Sequence, residues 1–295
     1  MGRARAVGAT VAVASLLLPA CAVDEGVAVV TGSAEPSSAS SVVPSLAAEV
    51  VQYRRDAQRD VVQVKVTNLG EAPAHVTHVR LESDTFADPL EADKDSTIGP
   101  GLSADLTVPL AEPACDGPAD PAPAVAHLTL GDGTGGSDVV TVETEQQAPG
   151  ADVLATVRDE RCAVLAVTDV VALTVTPGWT DAGPVGGEPA LRGTLDVTPL
   201  PAAPDLTVWV EGATTLFTVA GRSTATLPAG GAEPVALDVV LTVTRCDAHA
   251  VAEDKKGYLL PVRVAVGGAE PVLVEVPVPV PERAPLQDLI DRTCS

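Results

Sequence analysis

The chain has 295 residues and a formal net charge of −22 at pH 7, with 40 Asp and Glu against 18 Lys and Arg. A chain this acidic repels nucleic acid and anionic lipid headgroups, so neither is an expected binding partner. Aromatic residues make up only 2% of the chain. This composition argues against binding modes that need stacking platforms, including most sugar and single-strand binding modes.

Residues 1–21 have the pattern of a secretory signal. Arg3 and Arg5 precede an apolar run over Ala6–Leu18, which is shorter than the roughly 20 residues that a membrane-spanning helix needs. The exit, Leu18–Cys21, resembles the lipobox of bacterial lipoproteins, with Pro19 as an unusual middle residue. The resemblance implies that Cys21 is lipidated and that acyl chains hold the protein to the extracytoplasmic face of the cell membrane. The alternative is an ordinary signal peptide with an incidental cysteine.

Residues 22–44 are small, polar and without periodicity, which predicts a disordered stalk. From residue 45 onward, short Val, Leu and Thr runs alternate at period two and are separated by Pro and Gly. No stretch of the mature chain shows a helical apolar stripe of a dozen residues, so the pattern predicts an all-β sandwich fold. The predicted strands in the first half are Val61–Thr67, His75–Leu81, Asp105–Leu110, Val125–Leu130 and Val139–Val142.

The second half of the chain repeats the order of the first, which predicts two domains over residues 45–164 and 165–295. Each half has a strand that leads to a Cys-Asp pair, then a Gly-rich hairpin, and finally a closing motif Leu-x-x-(Val/Leu)-x-Asp-x-x-Cys. Two apolar residues three apart predict a short helical turn that docks onto the sandwich. The motif residues are Leu154, Val157, Asp159 and Cys162 in the first half and Leu286, Leu289, Asp291 and Cys294 in the second.

Four cysteines besides Cys21 allow three disulfide connectivities. Only the pairing Cys115–Cys162 with Cys246–Cys294 treats the two halves alike. The duplication therefore predicts one disulfide in each domain, and such bonds persist in an oxidising compartment outside the cytoplasm.

Proline stands at alternate positions near the end of the segment Val272–Pro281. One side of that strand has no backbone donors for a ladder, so the pattern predicts an edge strand. Peptide recognition along this edge is the alternative interpretation.

Three groups of polar residues are candidate metal ligands. The loop after Cys246 lacks the spacing of zinc or calcium sites. An acidic stretch before residue 96 has the pattern of a solvated loop, and His75 and His78 are expected to share one strand face near Glu82. We interpret all three groups as surface positions and predict no metal site and no cofactor. The loop residues are Asp247, His249, Glu253 and Asp254, and the acidic stretch contains Asp88, Glu91, Asp93 and Asp95.

The sequence contains no Gly-x-Ser-x-Gly elbow, no His-Glu-x-x-His and no phosphate-binding Gly-rich loop that opens a helix. Four cysteines are expected to be oxidised and one lipidated, which leaves no thiolate nucleophile. We therefore predict that the protein is not an enzyme.

The lipobox-like Leu18–Cys21, the stalk and the duplicated Cys-Asp…Asp-x-x-Cys frame together resemble uncharacterised surface lipoproteins of high-GC Gram-positive bacteria. The resemblance implies two tandem immunoglobulin-like β-sandwich domains and a location at the cell envelope. The leading hypothesis is a membrane-anchored, non-enzymatic binding or structural module that meets another envelope protein or a cell-wall polymer. The alternative is a solute- or metal-binding lipoprotein that uses a cleft between the domains.

Overall fold

The computed structural model describes residues 45–131, 136–145, 152–231, 233–247 and 257–294. The chain divides into two units, residues 1–42 and residues 43–295, and the description below concerns the second. Cys21, the predicted signal segment and the predicted stalk lie outside the described residues. The loop residues His249, Glu253 and Asp254 lie outside them as well.

Residues 45–145, here the N-terminal β region, form one sheet of seven strands in the order β4-β3-β6-β7-β1-β2-β5. All neighbouring strands are antiparallel except β1 and β7, which pair in parallel through Ala48 and Thr144. Inward-facing side chains from both ends of this order form a single hydrophobic core. The strands are β1 (Leu46–Val51), β2 (Val61–Asn68), β3 (Ala74–Glu82), β4 (Leu90–Ile98), β5 (Ser103–Pro109), β6 (Val125–Gly131) and β7 (Ser137–Glu145).

The predicted mainly β character is confirmed, but the acidic stretch before residue 96 lies, apart from Asp88, in strand β4 and not in a loop. Leu90 and Ile98 are buried at the two ends of β4, while the carboxylates between them alternate outward. Lys94 lies between these ends on the inward side of β4, and its ammonium group donates to the carbonyl oxygen of Thr107 on β5. This contact joins the two end strands, so the sheet curls back on itself.

Residues 171–294, here the C-terminal β region, contain two four-stranded sheets in the orders β12-β10-β14-β15 and β11-β13-β9-β8. Buried Val and Leu side chains of both sheets form a second core, and this core shares no residue with the first. The strands are β8 (Val171–Asp181), β9 (Ala190–Pro199), β10 (Leu206–Val210), β11 (Phe217–Val219), β12 (Ser223–Leu227), β13 (Val235–Val243), β14 (Leu259–Val266) and β15 (Val272–Pro277).

The proline-rich strand β15 is the last strand of its sheet, as its composition predicts. The N–H of Val278 donates to the carbonyl oxygen of Tyr258 at 2.8 Å. The backbone groups of the residues on either side, Pro277 and Pro279, therefore point toward the open edge of the sheet. Proline has no N–H, so neither residue offers a donor to a further strand.

Two helices of 16 and 12 residues stand where the closing motifs predict only short helical turns. Helix α1 (Val153–Thr168) begins at Asp152, whose carboxylate accepts from two backbone N–H groups of the first turn, and helix α2 is Arg283–Cys294. Short 3₁₀ turns at Ala57–Arg59 and Val280–Glu282 are the other helical segments of the described ranges. No helix in those ranges has the length and apolar character that crossing a bilayer requires.

Helix α1 packs against both cores. Leu154 and Val157 are buried in the core of the N-terminal region, whereas Val167 belongs to the core of the C-terminal region. The predicted domain boundary at residue 164 therefore falls inside a continuous helix. In α2, Leu286 and Leu289 are fully buried in the C-terminal core.

Both helices carry a disulfide. Cys115 follows β5 and bonds to Cys162 on α1 with Cα atoms 5.5 Å apart. Cys246 follows β13 and bonds to Cys294 on α2 with Cα atoms 5.1 Å apart. Each bond thus ties the loop after a sheet strand to a helix whose apolar side chains are already docked in the core below it.

Candidate functional site

Each β region has one sheet face that points away from its core, and equivalent strands form this face in the two regions. We call the outward side of β4-β3-β6-β7 the N-terminal face and the outward side of β12-β10-β14-β15 the C-terminal face. Side chains alternate along a strand, so a residue between two buried positions points outward. Arg80 lies between buried Val79 and Leu81 on β3, and Trp209 lies between two buried valines on β10.

Arg80 is the centre of the N-terminal face. Its guanidinium donates to Glu82 at 3.1 Å and to Glu91 on β4 at 3.4 Å. The Nε2 atom of His127 on β6 lies 3.4 Å from the same Glu82 carboxylate. The hydrogen bond from Arg80, with a smaller contribution from His127, holds the pKa of Glu82 below its usual value.

His75 and His78 share the N-terminal face, as predicted, and each contacts a carboxylate on β4. His75 Nε2 lies 2.9 Å from Asp95 and His78 Nδ1 lies 3.0 Å from Asp93. Positions three apart on a regular strand would face opposite sides, so strict alternation alone does not explain this arrangement. A β-bulge between Val76 and His78 shifts the register and returns His78 to the outward face.

Trp209 is the centre of the C-terminal face. Its indole N–H donates to Glu211 at 2.8 Å, and the guanidinium carbon of Arg222 lies 5.3 Å from the ring centroid. Arg222 also forms an ion pair with Glu211, and Arg263 Nε lies 3.7 Å from the same carboxylate. The hydrogen bond from Trp209, followed by that from Arg222, lowers the pKa of Glu211.

The two faces correspond residue by residue around these glutamates. Arg80 pairs across strands with His127, and Trp209 pairs in the same way with Arg263. Glu82 and Glu211 each lie two residues after the central side chain. Both glutamates have a pKa below the usual value.

The faces differ in composition. Beside Arg263 on the C-terminal face lies Leu273, which is 43% exposed, whereas Thr141 lies beside His127 on the N-terminal face. The C-terminal face exposes or half-exposes the apolar residues Trp209, Leu259, Pro261, Ala265, Leu273 and Pro277. The N-terminal face carries mainly the charged or titratable residues His75, His78, Arg80, Glu82, Glu91, Asp93, Asp95 and His127.

Trp209 was not identified from the sequence as part of a site. The signal was available, because Trp209 interrupts the valines of an alternating strand at the position that must face outward. The residues around it could not be identified from the sequence, because Arg222 and Arg263 come from other strands or loops.

Of the candidate ligands in the polar loop after Cys246, only Asp247 lies among the described residues. It forms an ion pair with Arg245 at 3.0 Å. Across the described ranges, no three or more His, Cys, Asp or Glu side chains converge as a metal centre would require.

Comparison with known proteins adds little. No protein family matches the chain, and no curated protein matches it. Among solved structures, it is similar to the BSP domain of a biofilm associated protein at 7% identity and a TM-score of 0.23, covering 78% of this chain and 56% of that one. The B domain of a biofilm associated protein (8% identity, TM-score 0.22, coverage 79% and 83%) and red sea bream transglutaminase (9%, 0.21, coverage 79% and 31%) are similar at the same level. Likeness at these TM-scores carries no conclusion about fold or function, and the chain spans little more than half of the first of these structures.

Proposed function

We propose that the protein is a lipid-anchored, extracytoplasmic binding module at the cell envelope, without enzymatic activity. In this proposal Cys21 carries the acyl anchor, residues 22–44 are the stalk, and the two β regions are tandem immunoglobulin-like domains. The stalk presents the domains to another envelope protein or to a wall polymer.

The strand order of the C-terminal region supports the immunoglobulin-like assignment. The sheet β8-β9-β13-β11 follows the order A-B-E-D, and β10-β14-β15 follows C-F-G, with β12 as an additional strand beside β10. The N-terminal region has an equivalent order, although β1 and β7 join its two halves into one sheet.

Two further correspondences support a duplication. Phe86 pairs with Pro113 just before Cys115, and Phe217 pairs with Val243 just before Cys246. Both phenylalanines are buried. The two disulfides, which require an oxidising environment to persist, support a location outside the cytoplasm.

The C-terminal face is the observation that carries the binding role. An exposed sheet face normally alternates polar side chains toward water, and the N-terminal face does so except at Val125 and Val139. The C-terminal face instead keeps an indole, Leu273 and two prolines at outward positions. Several exposed apolar side chains on one face of an otherwise highly charged protein mark an interaction site.

Cell fractionation tests the anchor. Wild-type chain is expected in the membrane fraction, with a diacylated N-terminal peptide by mass spectrometry, and the Cys21→Ser chain is expected in the medium. Equal membrane recovery of both chains, or an unmodified wild-type N-terminus, would contradict lipid anchoring.

Site-specific photo-crosslinking in the same cells tests the binding role. A photoreactive residue at Leu273 is expected to yield discrete adducts, whereas the same residue at Thr141, the corresponding position of the N-terminal face, serves as the control. Identical adduct patterns from the two positions would contradict a binding role for the C-terminal face.

A further inference from the structure

We propose that the partner of the C-terminal face is a second copy of this chain, in a two-fold symmetric contact. This inference rests on the proposed function only in assigning binding to that face. The identity of the partner as a second copy is argued from the charges and the apolar side chains of the described residues.

Charge restricts where two copies can meet. The chain carries a formal charge of −22, so most surfaces of one copy repel the same surfaces of another. Among the described residues of the C-terminal face, Arg222 and Arg263 both contact Glu211, and together they equal in number the acidic residues Glu211 and Glu275. The repulsion between two copies is therefore smaller at this face than at the acidic surfaces.

The N-terminal face does not meet this condition. Around Arg80 it presents Glu82 and Glu91, strand β4 adds Asp93 and Asp95, and strand β7 adds Glu143. With histidine counted as neutral, these residues sum to four negative charges, so two such faces repel each other.

A two-fold contact brings the same patch of both copies together. The indole of Trp209 and the side chain of Leu273 then meet apolar groups of the other copy. The two arginines of one copy pair with glutamates of the other copy, and its two glutamates pair with arginines. Such a patch is self-complementary in both polarity and charge, which a patch of one sign cannot be.

The size of the face sets the expected strength. Four strands about 4.8 Å apart and about six residues long give a face of roughly 400 Å². Two such faces bury roughly 800 Å² in total, below the roughly 1,200–2,000 Å² of stable complexes. We therefore expect a weak dimer, with Kd between about 10 μM and 1 mM, that tethering to one membrane would concentrate.

Sedimentation equilibrium of the full Cys21→Ser chain, from about 5 μM to 1 mM, tests the contact without any lipid. The double variant Trp209→Arg/Leu273→Thr introduces the residues that the N-terminal face carries at the corresponding positions. We expect it to weaken association at least tenfold, while Arg80→Gln/Thr141→Ser changes it by less than twofold. A cooperative urea transition and a wild-type circular dichroism spectrum for both variants show that the chain remains folded.

Absence of association by 1 mM would overturn the proposal, as would equal weakening by both double variants. Because this measurement uses a chain without the lipidated cysteine, its failure leaves the membrane anchor untouched. Failure of the anchor, read from fractionation, likewise leaves the dimer measurement valid.

Discussion

Removing one disulfide is expected to destabilise one β region and not the other. The sulfur bridges close loops with sequence separations of 47 and 48 residues. In the chain-entropy treatment, a loop of that length stabilises the folded state by about 4 kcal/mol. That is a large share of the roughly 5–15 kcal/mol that stabilises an ordinary domain.

The position of the tryptophans allows unfolding of the C-terminal region to be measured separately from unfolding of the N-terminal region. Trp179 and Trp209, the two tryptophans of the chain, both lie in the C-terminal region, and the two cores share no residue. Tryptophan fluorescence therefore follows unfolding of the C-terminal region alone. Replacing Cys246 and Cys294 by Ser is expected to lower the urea midpoint of the fluorescence transition by about 2–4 M, for a urea slope of about 1–2 kcal/mol per M.

The pair Cys115→Ser/Cys162→Ser is the matched control. It is expected to leave the fluorescence midpoint within about 0.5 M and to shift a separate part of the circular dichroism transition. If this control moves the fluorescence transition as far as the Cys246/Cys294 variant does, the two regions unfold as one unit and the reasoning fails. It fails also if neither variant shifts its transition.

Three further changes test packing and electrostatics. Leu286→Ala empties a fully buried position of α2 and is expected to cost about 2–5 kcal/mol of unfolding free energy, whereas Leu165→Ala on exposed surface of α1 costs less than about 0.5 kcal/mol; urea titration distinguishes them. Gly193→Ala would place a Cβ atom 2.5 Å from Cζ3 of Trp179, so we expect a loss of about 1–3 kcal/mol and an altered fluorescence spectrum; wild-type stability would contradict the packing. Because Trp209 and then Arg222 lower the pKa of Glu211, its carboxylate stabilises the fold above the unfolded pKa of about 4.3, and this contribution is lost as the pH falls through the lower folded pKa. The urea midpoint of Glu211→Gln is thus expected to lie below that of wild type at pH 7 and to converge with it near pH 3, and a constant difference would refute the assignment.

Strands whose burial alternates were predictable from the sequence. Ala126, Leu128 and Leu130 of β6 are buried and the residues between them are half-buried, as the pattern of Val125–Leu130 predicts. Strand β4 was missed because its inward positions include Lys94 and are only partly buried. Its alternating carboxylates therefore have the composition of a solvated loop, although pairing with β3 makes the segment a strand.

The length of helix α1 was missed for a different physical reason, although a helical turn was predicted at its start. Its buried apolar residues are Leu154 and Val157 near the start and Val167 near the end. They pack into two different cores, so the middle of the helix needs no apolar stripe. A periodicity argument assumes that one face of a helix lies on one core, and this helix does not meet that assumption.

The candidate site was the least predictable part, since strand pairing assembles it. Arg222 reaches Glu211 from the loop before β12, and Arg263 reaches it from β14. Sequence spacing cannot specify these contacts before the register of each strand is known. The bulge that places His78 beside Asp93 is likewise a property of pairing.

The reciprocal exchange, Arg80→Trp, asks whether one indole is sufficient for association. The position tolerates an indole in principle, because Trp209 occupies the corresponding place with the same relation to its glutamate. We expect Arg80→Trp to remain folded, with a urea midpoint within about 0.5 M of wild type. Tryptophan fluorescence would then also report on the N-terminal region.

This variant is not expected to dimerise more strongly. Losing Arg80 removes a positive charge, so Glu82, Glu91, the two β4 aspartates and Glu143 give the N-terminal face five negative charges with histidine counted as neutral. Added apolar area therefore meets stronger repulsion between copies. Sedimentation equilibrium at low and at high salt separates the effect of apolar area from that of charge repulsion. Association that strengthens only at high salt agrees with the argument. Stronger association at low salt would mean that apolar area alone governs the contact, and that the balanced charges of the C-terminal face are not what selects it.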